Sequence, residues 1–489
     1  MCIDLTDGGT GWIRQTAGLT VLGCVLFLAS CDERPLSSPE PAGGVHVQSV
    51  IGGSFTFENF ALGAAPGTVC PGPSGCTNGA AEPAIRADAT GTFYVSSELG
   101  LSAGTLAWKS TDGGLHYTAL ESPNQLSQAA GGVGPGGGDT DLSTAPDANT
   151  SGIHNVYVAS LSLANVTVST SQDGGKTWSK NVLSATIPGD DREWIAADQA
   201  SKVCISYHDI VTFNIDVNCS FDAGATFTQV GSAIDVAHAF LIDDNEIGNL
   251  AIDPRNHVIY QVFSGIANAT EALLPSSFHA VWIAVSPDGG QTFTDKPVYV
   301  NPNTSVSYGH QFVNVSVDRA GTVYVVYTDN HNLFYSFSTD GGGTWTGPIQ
   351  VNQAPSATAV MPWSVACDPG ELNIVWYGTS FYDGTTAPDN YPASAAWYVF
   401  FAQNLNAAAT GSTFTQGAAT PIIHYGGVCE SGVGCTGNRD LYDDFGVAVN
   451  PTTGLASIVY SDDQPGNTGA ADHTAVATQT AGPKICAGP

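Results

Sequence analysis

Positive charge is scarce in this chain. Its 489 residues hold 13 Lys plus Arg against 44 Asp plus Glu, a formal net charge of −31. Such a surface repels phosphate backbones, which excludes nucleic acid as a partner. No CxxC pair or His/Cys cluster has the spacing of a zinc site, so no metal ligand set is assigned. The apolar run 17–30 (AGLTVLGCVLFLAS) falls short of the roughly 20 residues that a bilayer-spanning helix needs. It ends in Leu28-Ala29-Ser30-Cys31, which looks like a lipobox. Residues 1–31 are therefore read as a lipoprotein signal peptide, with Cys31 becoming a lipidated N-terminus. The expectation is an exported protein, lipid-anchored in the cell envelope or extracellular, whose membrane contact is that lipid. Residues 32–45 (DERPLSSPEPAGGV) read as a flexible tether and 46–489 as a single domain, expected to be a monomer.

Cysteine usage agrees with export. Setting aside Cys2, Cys24 and Cys31 leaves eight, an even number. Cys70 and Cys76 share one short loop, and Cys429 and Cys435 another. Cys204 and Cys219 lie symmetrically about an expected hairpin and can bridge its strands. Cys367 and Cys486 remain.

What is plentiful is Gly (57) and Pro (27) beside 43% hydrophobic residues, the balance of many short strands joined by tight turns. Self-comparison resolves those turns. Five segments share the pattern S-x-D-x-G-x-T-[FWY]: 110–117, 171–178, 220–227, 286–293 and 338–345, the first departing at the Thr. Their Asp residues stand 61, 49, 66 and 52 apart. Asp accepts backbone N–H bonds, Gly supplies positive φ, and the aromatic is expected to pack back on its hairpin. These Asp residues are thus structural. A second unit, strand–turn–strand, occurs seven times, as in Trp194–Asp209, Phe312–Asp329 and Phe445–Asp463. Two inner strands plus a hairpin make a four-stranded antiparallel blade. The chain is expected to be an all-β, seven-bladed β-propeller, with six blades as the alternative. Blade seven runs out of chain after residue 480, so 46–58 is expected to supply its outer strand and close the ring.

Antiparallel order puts the repeat hairpins on one face and any site on the other. Loops entering the inner strands bring Glu82, Asp139, Asp141, Asp190, Asp191, Arg192, Glu193, Asp243, Asp244, Glu246, Tyr308, His310, Trp363, Arg439, Asp440, Tyr442, Asp443 and Asp444 to that face. Exiting loops bring Glu98, His208, Asp209, Asp329, His331, Asp462 and Asp463. A funnel so rich in carboxylates suits general acid/base work, calcium binding through oxygen ligands, or plain solvation. Only Arg86, Arg192 and Arg439 can approach it among the six Arg after Cys31. Each can clamp a substrate carboxylate or bridge to neighbouring acids. The loop 377–398 carries Tyr377, Phe381, Tyr382, Tyr391 and Trp397, which can stack on sugar faces or pack the loop.

The five hairpins resemble those of the sialidase-like Asp-box (BNR repeat) superfamily, over nearly the whole chain after Cys31. Segments 191–198 and 439–449 are also similar to secreted BNR-repeat proteins labelled exo-α-sialidase. The resemblance implies an exo-acting glycoside hydrolase and a glycan or glycoconjugate as partner. It implies Arg86, Arg192 and Arg439 as a carboxylate clamp and Tyr442 as nucleophile. Glu193 or Glu246 would be its base, and Asp141 or Asp191 the acid. His208, Asp209, His310, Trp363, Asp443 and Asp444 complete the expected substrate pocket. Pro83-Ala-Ile-Arg86 stands where true sialidases have Phe/Tyr-Arg-Ile-Pro. No cofactor is required, calcium being the possible exception. The alternatives are a non-catalytic binding propeller, and a glycosidase or lyase using a carboxylate pair.

Overall fold

A computed structural model describes residues 48–486 apart from 69–77, 125–135, 163–164, 186–188, 274, 310–311 and 464–472. Cys31, the tether, the Cys70–Cys76 loop and His310 lie outside the described residues. Seven antiparallel sheets follow one another as blades, and the innermost strand of each packs on the next, including seven onto one. Those innermost strands are Ala81–Ala87, Thr140–Ala148, Asp190–Asp198, Asn245–Ile252, Asn314–Val317, Thr358–Ala366 and Gly446–Val449. The second strand of each blade is covered on both faces, which is why Val323–Thr328 (VYVVYT) is apolar or aromatic nearly throughout and wholly buried.

Closure follows the expected route with an extra strand. Phe55–Ala61 pairs with the C-terminal strand His473–Ala481, and Gln48–Gly52 adds outside it. Phe55 and Phe57 then pack edge-on against Phe401 of blade six, at 4.8 and 5.3 Å. Phe55–Ala61 thus supplies the outer partner that blade seven otherwise lacks. Disulfides Cys204–Cys219, Cys367–Cys486 and Cys429–Cys435 form as the cysteine positions allow, the first directly across two strands.

In the hairpins, Asp173 accepts from the Thr177 amide and hydroxyl at 2.9 and 2.6 Å, while the Ser171 hydroxyl donates to it at 2.8 Å. In the first copy His116 replaces the Thr, its Nδ1 lying 2.6 Å from Asp112. The expectation that each aromatic folds back on its own hairpin does not hold for the first copy. Tyr117 of blade one packs on Phe60 and bonds Ser457, both in blade seven. A Cβ on Gly114 would meet Thr478 of blade seven at 2.9 Å, and one on Gly224 would meet Thr170 of blade two at 2.6 Å. The turns need glycine for that contact as well as for φ. Each hairpin therefore fastens its blade to the preceding one.

Candidate active site

The top of the ring is built on irregular backbone. The innermost strands of blades one, three, four and six shift register at 81/84, 191/193, 247/250 and 360/363. Three of the bulged residues, Glu82, Arg192 and Met361, take left-handed φ of 47°, 46° and 52° without being glycine. Tyr442 does likewise at 59°. Such angles cost on the order of 1–3 kcal/mol each, and they re-aim side chains that a regular strand would point elsewhere.

Beneath them the channel is plugged. Trp194 lies 5.2 Å from Trp363 and 5.5 Å from Phe312. Arg192 covers Trp194 at 4.1 Å and Phe312 at 4.5 Å, and Arg86 covers Trp363 at 5.1 Å. Trp363 is thus buried in the floor rather than open as a sugar platform.

Arg192 is buried and central. Its Nη2 pairs with Asp444, and its Nη1 lies 3.6 Å from both Glu82 and Asp139. Glu82 and Asp139 are therefore within twice that distance of each other. Glu82 also receives Arg439 at 3.1 Å, whose Nη2 meets Asp443 and whose guanidinium covers Tyr442 at 5.4 Å. Arg86 pairs with Asp141 at 3.0 Å, and Asp141 further accepts the Leu142 and Ile195 amides. All three funnel guanidiniums are thus held by protein carboxylates.

Eight acids share this field: Glu82, Asp139, Asp141, Asp191, Glu193, Glu246, Asp443 and Asp444. Burial first, then Asp139 and Asp443, hold Glu82 well above the usual carboxylate range. Burial and Asp139 do the same to Glu193, whose two oxygens have no hydrogen-bond partner. Asp444 is pushed up to about 7 by burial, despite Arg192. Glu246 is also raised to about 7, by burial and then by Asp191 and Asp443. The acids form two layers. Glu82, Asp141, Glu193 and Asp444 are buried about Arg192, whereas Asp191 is exposed and Asp139, Glu246 and Asp443 are half-exposed.

Other expected positions fall at the rim. His208 is the cross-strand neighbour of Asp191, and burial lowers its basicity. Asp209 caps its own turn, accepting from Val211 at 2.7 Å and the Thr212 hydroxyl at 2.8 Å. Glu82 and Asp139, central here, were legible only as acids ahead of inner strands, since neither sits in a motif. Two groups of three side chains among the described residues bring metal-ligand atoms within 4.8 Å of one another: Asp235/His238/Asp295 and His424/Asp440/Asp463. Neither includes any of the eight funnel acids.

Fold and site together define a seven-bladed propeller with an acidic funnel over an aromatic floor. No family model and no curated protein matches the chain. Solved structures similar to it include an α-L-arabinanase of Penicillium chrysogenum, 11% identical, with 88% of this chain and 98% of that one covered and a TM-score of 0.43. Another is an α-L-arabinofuranosidase of Fusarium graminearum, at 15% identity, 67% and 94% coverage and a TM-score of 0.45. A Hadza microbial sialidase is 13% identical over 61% of this chain and 63% of its own, with a TM-score of 0.39.

Proposed function

We propose that the chain is a glycan-active propeller, a glycoside hydrolase that cleaves neutral sugar chains in its funnel with the carboxylate pair Asp191 and Glu246. One observation carries this reading: eight acids face three guanidiniums, and each guanidinium already holds a protein carboxylate. A substrate carboxylate would have to displace a protein carboxylate from each Arg. A neutral ring meets no such obstacle. Glu246, protonated up to about pH 7, donates its proton to the leaving glycosidic oxygen. Asp191 is exposed at its surface, although burial and then Asp139 raise its carboxyl above the ordinary range. In its ionised form it takes a proton from the attacking water or attacks the anomeric carbon itself. Asp444, with Glu82 and Asp139 at 3.6 Å, holds Arg192 against the floor.

The sialidase version of the site, with Tyr442 as nucleophile and the three Arg as clamp, is the finer alternative. Tyr442 under Arg439 is its supporting observation. The repeat hairpins support membership of the Asp-box superfamily, and the disulfides support folding in an oxidising compartment; lipid attachment at Cys31 rests on the lipobox-like Leu28-Ala29-Ser30-Cys31. Labelled palmitate incorporation, lost in Cys31→Ser, tests that anchor.

The function is tested with residues 32–489 on a panel of fluorogenic neutral glycosides and sialosides. Turnover of a neutral glycoside is expected, falling by about 10²-fold or more in Asp191→Asn and Glu246→Gln. Sialoside turnover that survives both changes and disappears in Tyr442→Phe would transfer the site to the tyrosine mechanism.

A further inference from the structure

The top-face connection of blade six, residues 380–395, takes no part in the chemistry above. It is held rigidly. The Thr358 hydroxyl, at the start of the innermost strand, donates to the Phe381 carbonyl at 2.9 Å and meets the Tyr391 hydroxyl at 2.7 Å. Asp383 accepts the Thr385 and Thr386 amides at 2.9 and 2.8 Å. Tyr391 sits between Phe381 at 4.7 Å and Trp397 at 5.9 Å. On one flank Asn438, the neighbour of Arg439, donates to the Asp389 carbonyl at 2.7 Å. On the other, Tyr382 stacks on His331 of blade five, ring centroids 3.4 Å apart and planes 27° from parallel. The loop thus runs along the rim from blade five to the loop that carries Arg439.

Of the aromatics on and beside this loop, Tyr377, Tyr391 and Trp397 are buried and Phe381 partly so, while Tyr382 is 41% exposed. We propose that the Tyr382–His331 stack is a sugar-ring subsite on the funnel rim, taking a neighbouring ring of a neutral oligosaccharide whose reacting unit lies in the funnel. This rests on the glycan reading and adds a substrate length to it. An aromatic face matches the C–H face of a pyranose or furanose, and a loop already fixed by hydrogen bonds loses little freedom on binding. Burial, against the pull of Asp329, lowers the basicity of His331, so the stack is uncharged at neutral pH and suits an uncharged ring.

The test is affinity electrophoresis and calorimetry of residues 32–489 with four soluble neutral polysaccharides (arabinan, xyloglucan, galactomannan and dextran) and with their oligosaccharides of increasing length. For whichever polymer the unaltered chain binds, Tyr382→Ala is expected to weaken binding about fivefold to tenfold and to erase the gain in affinity with oligosaccharide length. Tyr382→Phe keeps the ring and is expected to restore both. Tyr425→Ala, at another exposed aromatic, controls for general surface change. Unchanged retention in Tyr382→Ala overturns the subsite while leaving the glycan reading in place. An unaltered chain that binds none of the four polymers overturns both.

Discussion

Arg192 and Glu82 face each other at 3.6 Å, both buried and both held at left-handed backbone angles inside bulges of innermost strands, on blades three and one. Two strained residues of opposite charge, brought together from 110 positions apart, mark the point around which the funnel is organised. The strain is retained because it turns a guanidinium into the axis, where it neutralises acids that could not otherwise be buried together.

Removing that cation leaves Asp444, Glu82 and Asp139 without their shared partner. Arg192→Leu is expected to lower unfolding free energy by about 3–5 kcal/mol in denaturant titrations. Arg192→Lys should recover little, because a point charge cannot reach the partners of Nη1 and Nη2 together. A loss under 1 kcal/mol would show that the network is dispensable.

The pH dependence of stability follows from two opposed sets of carboxylates. Asp444 and Glu246 have folded values of about 7, above their ordinary 3.8 and 4.5, so the folded state binds protons more tightly. Their stabilisation is complete below those ordinary values and is lost as pH rises through about 7. In the hairpins, slight burial raises Asp173 and Asp288, but Thr177 and Thr292 outweigh it and hold both at about 2. That contribution is present above 3.8 and is lost as pH falls through about 2. Melting temperature is therefore expected to peak at roughly pH 4–5 and to decline toward pH 8. A maximum at pH 8 would contradict the assigned crowding.

Hairpin and funnel should separate experimentally. Asp288 accepts from the Thr292 hydroxyl at 2.6 Å and from the Ser286 hydroxyl at 2.7 Å, on the face away from the funnel. Asp288→Ala is expected to cost about 1 kcal/mol, discounted for exposure, and to leave glycan turnover unchanged.

Ring closure gives another test. Cys367–Cys486 closes a loop of 119 residues and ties the chain end to the bottom of blade six. The double change Cys367→Ser, Cys486→Ser is expected to lose about 2–5 kcal/mol, read as a lower unfolding midpoint. An unchanged midpoint would mean that strand pairing and the Phe55 and Phe57 contacts hold the closure without the disulfide.

The blades were legible because hairpins and strand pairs repeat locally, and local repetition survives in sequence. The closing strand was legible from a shortage: blade seven lacked an outer partner. The left-handed backbone angles were not, since Glu82, Arg192, Met361 and Tyr442 are none of them glycine, and nothing nearby announces positive φ. The floor was also hidden. Trp194, Phe312 and Trp363 come from three blades, and only ring geometry brings them together. The inter-blade role of the hairpins escaped for the same reason, being a contact between segments far apart in the chain.

Saturation-transfer NMR of residues 32–489 with an equimolar mixture of neutral oligosaccharides and sialyllactose bears most directly on the acidic funnel. Transfer to the rings of a neutral oligosaccharide, with none to the sialic acid protons, is the expected result. Transfer confined to the sialic acid, lost in Arg439→Ala, would mean that the guanidiniums and not the carboxylates govern recognition.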